Sequence, residues 1–189
     1  NSVYSEAYNN LGNTFKAIGQ LDDAIKSYKK ALDINPEYPA LHNNLGSAYK
    51  SLGNHKDAVK SYLKGLALNP SYIDILNNLG VAYTELGEMN EAINTLKKAI
   101  AIKPDYAEAY NNLGVAFNKN SQLEEAVHSF ESALKINPDF PDPYNNLTVV
   151  FRKQGLFDHV TMSSKKAIDS MIKYIKTQPN DSDTYNNLG

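Results

Sequence analysis

The sequence has no cysteine and no tryptophan among its 189 residues. Without cysteine, the chain can hold no disulfide framework, no zinc–thiolate site and no cysteine nucleophile. Long apolar runs are also missing, since the longest are only a few residues, as at 99–102. We therefore expect no membrane insertion, and we predict a cytoplasmic location.

An excess of charge of one sign is absent as well. The chain has 19 Lys and Arg against 21 Asp and Glu, which gives a net charge of −2. Nucleic acid and anionic membranes both attract a basic excess, so we expect neither as a partner. Hydrophobic residues make up 42% of the chain, which is enough to bury a core.

What the sequence does contain is a pattern that returns every 34 residues. Glycine, proline and leucine each follow this interval, and so does an Asn-Asn dyad. The phased positions include Gly12, Gly46, Gly80 and Gly114; Pro36, Pro70, Pro104 and Pro138; and Leu11, Leu45, Leu79, Leu113 and Leu147. So many positions in one phase indicate a repeat array.

Each repeat is predicted to form two helices. In the first repeat, apolar residues at helical spacing cover 6–18 and then 22–34. The first helix is expected to end at Gly19, with Gly53, Gly87 and Gly155 at matching places, because glycine readily adopts the left-handed conformation. The second should end before Pro36, since proline disfavours helical geometry in the residue that precedes it.

Gly12 and its copies lie inside the first helices, where glycine costs about 1 kcal/mol relative to alanine. A cost repeated in this way suggests a close approach between the two helices. We expect Gly12 to face Ala24, and Gly80 to face Ala92, so that small residues meet where the helices cross.

Taken together, these positions resemble the tetratricopeptide repeat, a helix–turn–helix unit of 34 residues. The first repeat carries the residues typical of that family: Tyr8, Leu11, Gly12, Phe15, Ala24, Tyr28, Ala31 and Pro36. The resemblance implies an all-α solenoid, a right-handed superhelix of antiparallel helix pairs. We place the whole chain in one array, with repeats at 5–38, 39–72, 73–106, 107–140 and 141–181 and a partial sixth repeat at 182–189.

Tyr38, Tyr72, Tyr106 and Phe140 each lie two residues after a phased proline. In this feature the array is also similar to the repeats that precede the catalytic region of O-linked N-acetylglucosamine transferases.

The fifth repeat departs from the pattern. Thr148 stands where glycine is expected, and the closing proline, Pro179, comes seven residues late. Counting from Gly155 places Val160, Ser164 and Ala167 in the core, whereas counting back from Pro179 places Ala167, Ile168, Met171 and Ile175 there. The second register packs better at its aromatic-equivalent place, with Met171 instead of Ser164. We favour one longer second helix that satisfies both registers, because seven residues are about two turns. A long loop through residues 158–164 is the alternative.

No set of residues suggests catalysis, a metal or a cofactor. The four histidines form no pair at metal-binding spacing, and His42 takes a place that Tyr8 and Leu76 hold in other repeats, so we expect it to pack in the core. The glycines are spread along the chain and form no phosphate-binding loop. A solenoid offers an extended surface and no closed pocket. We therefore predict that the chain is not an enzyme.

In the family that the sequence resembles, the first helix of each repeat lines a concave groove. Here that helix presents the Asn-Asn dyads, and a primary amide can pair with both the N–H and the C=O of an extended peptide. We predict a scaffold that binds an extended segment of a partner protein. The candidate peptide-binding residues are Asn9, Asn10, Asn13, Asn43, Asn44, Lys50, Asn77, Asn78, Asn111, Asn112, Asn145, Asn146 and Arg152. Of each dyad, we expect the second Asn to be the main contact. The dyads could instead bond only within and between repeats.

Arrays that bind chaperone C-termini clamp a carboxylate with two asparagines and three cations. The matching places here hold Asn9, Asn13, Asn44, Asp74 and Asn78. All three cations are missing, so chaperone-tail binding is not expected.

Two alternatives to an independent scaffold stay open. The chain could be the substrate-recruiting arm of a larger enzyme such as a glycosyltransferase. It could also assemble end to end into homo-oligomers, because no polar capping helix is apparent.

Overall fold

The computed structural model describes residues 2–177, and every regular element in that range is a helix. The chain divides into two compact units between Lys103 and Pro104. Within the first unit the described helices are α1 (Ser2–Ala17), α2 (Leu21–Ile34), α3 (Pro39–Ser51), α4 (His55–Leu68), α5 (Ile73–Leu86) and α6 (Met89–Ile102). Within the second they are α7 (Ala107–Lys119), α8 (Leu123–Ile136), α9 (Pro141–Lys153) and α10 (Phe157–Thr177). None of the helices within residues 2–177 is long and apolar enough to cross a membrane.

The turns inside the repeats confirm the predicted helix ends. Gly19, Gly53, Gly87 and Gly155 all have a positive φ, between 74° and 81°. Ser121 holds the same turn in the fourth repeat with a φ of 61°, a conformation that costs energy for a residue with a Cβ. At the other end of the repeat, Asn35 leaves helical geometry (φ −136°, ψ 84°) directly before Pro36.

The first and second helices both contribute to the core, as the apolar spacing on both predicts. Ala24, Tyr28 and Ala31 are completely buried on α2. Tyr28 belongs to a cluster with Leu45 and Ala48 of the following helix. The core therefore continues from one repeat to the next within the first unit.

The expected contact of small residues at the helix crossing is wrong. A methyl group on Gly12 would lie 2.6 Å from Cε1 of Tyr28, so Gly12 makes room for a ring and not for Ala24. In the same way Gly80 faces Leu96, four residues beyond Ala92. The side chain that faces the glycine comes one helical turn later than the sequence argument placed it.

The apolar stripe of α1 is only partly covered. Leu11 is 42% exposed, whereas its counterpart Leu45 on α3 is 7% exposed. Leu45 packs against Ile25 and Tyr28 of the preceding second helix. Among the described residues, no earlier helix covers Leu11 of α1 or Ile18, which directly follows α1.

The fifth repeat has the longer second helix that we favoured, because α10 runs without interruption from Phe157 to Thr177. The second register is wrong at Ile168, which is 52% exposed. Ala167, which both registers place in the core, is buried, and Ser164 of the first register lies beside Thr148 (Oγ1···Oγ 3.4 Å). The side chains of Met171 and Ile175, and the predicted sixth repeat at 182–189, lie outside the described residues.

Candidate functional site

The Asn-Asn dyads lie on the first helices α1, α3, α5, α7 and α9, and we call these ten residues the amide ladder (Asn9, Asn10, Asn43, Asn44, Asn77, Asn78, Asn111, Asn112, Asn145 and Asn146). The dyads share a register because each stands directly before the phased leucine of its helix. A polar stripe therefore runs beside the apolar one on the same helices.

Within each unit, hydrogen bonds join dyads of neighbouring repeats. Asn44 Nδ2 donates to Asn9 Oδ1 at 2.8 Å in the first unit. In the same unit Asn78 Nδ2 donates to Asn43 Oδ1 at 3.1 Å. In both pairs the second Asn of one repeat reaches the first Asn of the preceding repeat.

The second unit contains the same bond. Asn146 Nδ2 donates to Asn111 Oδ1 at 2.9 Å. Asn111 is buried, and Asn146 is half-buried. The inter-repeat bonding that we weighed as an alternative therefore exists, although it uses only one N–H of each donating amide.

The second asparagines of the amide ladder differ in exposure. Asn10 is exposed, but Asn44, Asn78 and Asn112 are half-buried. The amide bonds hold these side chains against neighbouring helices, and this explains the difference at Asn44 and Asn78. Of the first asparagines, Asn145 is exposed, and Asn9, Asn43 and Asn77 are half-buried.

Two lysines lie on the same face of the first unit. Lys16 Nζ donates to Ser47 Oγ at 2.6 Å, and Lys50 Nζ donates to Asn78 Oδ1 at 3.4 Å. Both are half-buried, and burial lowers the pKa of each; the charge of Lys16 lowers the pKa of Lys50 further. Lys16 was not among the predicted site residues, although it stands one period before Lys50.

The other predicted residues of this face have different surroundings. Asn13 Oδ1 accepts a hydrogen bond from the Tyr28 hydroxyl at 2.7 Å, which ties α1 to α2 inside one repeat. In the second unit Arg152 is exposed, while Lys153 Nζ donates to Asn118 Oδ1 at 2.7 Å. Lys153 therefore already bonds to a neighbouring first helix, whereas Arg152 is exposed.

His42 lies away from this face and is buried, as expected of a core residue. Its Nε2 lies 3.1 Å from the carbonyl oxygen of Pro36. Burial lowers the pKa of His42, the Pro36 bond opposes this, and the charge of Lys64 adds to it. A cleft of about 700 Å³ between α2, α3 and α4 includes His42 and Lys64 in its lining. In the described range no three histidines or carboxylates are grouped closely enough to hold a metal ion.

The sequence matches known family models, and the fold matches solved structures. The family model described as TPR repeat matches residues 12–53, 46–87 and 82–121. The model described as Tetratricopeptide repeat matches residues 107–140. No curated protein has a significantly similar sequence.

Among solved structures, MamA is 30% identical to this chain, with a TM-score of 0.76, and the match covers 87% of this chain and 96% of MamA. MamA from Desulfovibrio magneticus RS-1 is 20% identical, with a TM-score of 0.75, and the match covers 93% of this chain and 97% of that one. TTC0263, a thermophilic TPR protein in Thermus thermophilus, is 23% identical, with a TM-score of 0.76 and coverage of 97% and 96%.

Proposed function

Because the chain belongs to the tetratricopeptide repeat family, whose members are scaffolds for protein–protein interaction, we propose that its amide ladder binds an extended segment of a partner protein. The role is one of binding without catalysis, and we place it in the cytoplasm. The observation that carries the proposal is the set of hydrogen bonds between repeats, Asn44 to Asn9, Asn78 to Asn43 and Asn146 to Asn111.

These bonds prepare the amides for a ligand. Asn44 gives one N–H to Asn9, and its amide keeps a second N–H and its own Oδ1. A side chain that is already held in one orientation loses little conformational freedom when it binds. Asn44 can therefore offer a donor and an acceptor to one peptide unit without paying the full cost of being ordered.

Such pairing grips a peptide through its main chain. Each amide-to-backbone bond contributes a net ~0.5–1.5 kcal/mol, so one contact alone would bind nothing measurable. Amides at one position of successive repeats add these small contributions along an extended strand. The proposal therefore favours a long segment over a short motif.

The test replaces Asn44, Asn78 and Asn112 together by alanine. Peptides enriched on the parent protein from a random library are titrated into both proteins by calorimetry. We expect the triple variant to bind about two to three powers of ten more weakly. Since Asn44 and Asn78 also join repeats, we expect it to lose roughly 0.5–1.5 kcal/mol of stability per inter-repeat bond, and its melting curve must show that it remains folded.

The matched control replaces Asn90 and Asn94 by alanine, because both are exposed asparagines on the second helix α6. This control should bind as the parent does. If the folded triple variant also binds like the parent, the ladder only holds the repeats together, and the partner site lies elsewhere.

A second candidate, end-to-end homo-oligomerisation, is favoured by exposed apolar side chains on α1 and α10. Leu11 on α1 and Ile168 on α10 are both exposed, whereas Leu45 at the position of Leu11 packs against the preceding repeat. A second copy could cover these exposed apolar side chains with its own.

Light scattering over a concentration series tests this candidate. The parent should grow in mass with concentration, and Leu11→Glu or Ile168→Glu should keep it monomeric. A parent that stays monomeric throughout the series rules the candidate out.

A further inference from the structure

Lys16 and Lys50 are half-buried, whereas the other lysines of the first unit are exposed. The two residues stand one period apart on α1 and α3 and are both half-buried. Their partners are neutral oxygens, Ser47 Oγ for Lys16 and Asn78 Oδ1 for Lys50. By contrast Lys26 and Lys60, on the second helices α2 and α4, are exposed and paired with carboxylates of their own helix.

Neither cation has an acidic partner in the described part of the chain. Among the described residues no carboxylate lies within ion-pair distance of Lys16 or Lys50. Burial lowers the pKa of both lysines, and the charge of Lys16 lowers the pKa of Lys50 further. Taking a charge out of water without a counter-ion costs free energy. Two such charges on one face form a local positive site that an anion would stabilise.

We propose that Lys16 and Lys50 bind the acidic side chain of an extended peptide, so that the segment held by the amide ladder carries a glutamate or aspartate at this point. This inference rests on the proposed function. It names the partner by its chemistry, since a carboxylate supplies both the missing counter-charge and acceptors for the lysine N–H groups.

The site is continuous with the amide ladder. Lys50 Nζ donates to Asn78 Oδ1, and Asn78 Nδ2 donates to Asn43 Oδ1. A peptide that pairs with Asn78 therefore passes within one hydrogen bond of Lys50. Glutamate is preferred to aspartate as a probe because its longer side chain lets the main chain stay on the amides.

The experiment uses blocked octapeptides whose serines alternate with a second residue. The second residue is glutamate in one peptide and glutamine in the other, so the pair differs only in charge. Fluorescence anisotropy should give at least about tenfold tighter binding of the glutamate peptide to the parent. In Lys16→Gln/Lys50→Gln the two peptides should bind almost equally, and the glutamine peptide should bind nearly as it does to the parent.

The control is Lys26→Gln/Lys60→Gln, which removes the same charge from the second helices and should keep the glutamate preference. A preference that survives in the Lys16/Lys50 variant, or that is lost in the control, would assign it to overall charge and overturn the inference. A glutamine peptide with a free C-terminus that binds as tightly as the glutamate peptide would make a terminal carboxylate the ligand, which also overturns it.

The same titrations separate this inference from the proposed function. If both peptides bind the parent equally and the ladder triple variant weakens both, the amide ladder is the peptide site and the acidic preference is wrong. If neither peptide binds and the triple variant changes nothing for library peptides, both proposals fail.

Discussion

The first four repeats and the fifth repeat fill the space between their two helices in different ways. In the first repeat Gly12 faces the ring of Tyr28, and in the fourth repeat Gly114 faces Phe130. In the fifth, Thr148 takes the glycine position, and Ser164, in the place of the ring, lies 3.4 Å from it. In the fifth repeat the side chain on the first helix is larger and the one on the second helix is smaller. The crossing therefore requires two side chains whose volumes fit together, and it does not require glycine.

The amide ladder does not change along with this pair. Asn146 bonds to Asn111 in the fifth repeat at 2.9 Å, close to the 2.8 Å of the Asn44–Asn9 bond in the second. The ladder is therefore independent of how the crossing is packed. The dyads persist although the residues at the helix crossing have changed, so they need a physical reason of their own, and the hydrogen bonds between repeats supply one.

The largest loss of stability is expected when a large side chain replaces the glycine at a helix crossing and the residue opposite it stays the same. Gly80→Leu would place its side chain against Leu96, which the structure puts directly over Gly80. Overpacking of this kind costs about 1–3 kcal/mol, measured as the free energy of unfolding in urea. A variant as stable as the parent would contradict the requirement for complementary volumes, because it would show that the crossing tolerates two large residues.

A double-mutant cycle in the fifth repeat should give the next largest effect. Thr148→Gly alone leaves a void and Ser164→Phe alone overfills the site, whereas the two together recreate the Gly114–Phe130 pair of the fourth repeat. We expect the double variant to be more stable than the sum of the singles by about 0.5–3 kcal/mol. Additive single effects would mean that the two positions do not exchange volume.

A smaller effect is expected at the turn of the fourth repeat. Ser121 adopts a φ of 61° where the other four repeats have glycine. Ser121→Gly should raise the free energy of unfolding by about 1 kcal/mol, because glycine adopts this conformation without strain. The reverse change at Gly87, Gly87→Ser, is the matched control and should lower it by a similar amount.

The smallest effect concerns pH. Burial lowers the pKa of His42 below its ordinary value of 6.5, so the unfolded chain binds the proton more readily than the folded one. The free energy of unfolding is therefore unaffected by the His42 proton above about pH 6.5. It decreases as the pH falls below that value, because the unfolded chain binds the proton first. His42→Leu, which copies Leu76 of the third repeat, should flatten the fall in unfolding free energy between about pH 7.5 and pH 5. Equal pH profiles for the two proteins would contradict this assignment.

The sequence alone was sufficient for the period, the helix pairs and the helix ends. These features follow from local rules, namely the helical spacing of apolar residues, the left-handed glycine at Gly19 and the proline at Pro36. Burial of Ala24 and Tyr28 followed from the same spacing, because one face of a helix must pack against something. The length of α10 could be predicted because an insertion of seven residues keeps one helical face in phase.

Tertiary structure decided which side chains meet. The residue opposite Gly12 depends on where two helices cross, and a shift of one turn separates Ala24 from Tyr28. The same holds for the register of α10, where the Thr148–Ser164 contact selects Ser164 and leaves Ile168 exposed. Sequence spacing gives the direction of a side chain on its own helix but not the axial position of the neighbouring helix.

In the candidate site, too, some features could be predicted from the sequence and others depend on the tertiary structure. Periodicity alone placed each dyad at the same register of its first helix, because residues at one position of every repeat lie on equivalent helices. That Asn44 bonds to Asn9, and that Lys16 and Lys50 are half-buried beside neutral oxygens, depends on the distance between neighbouring first helices. This distance is set by packing across the whole repeat, and no local pattern in the sequence encodes it.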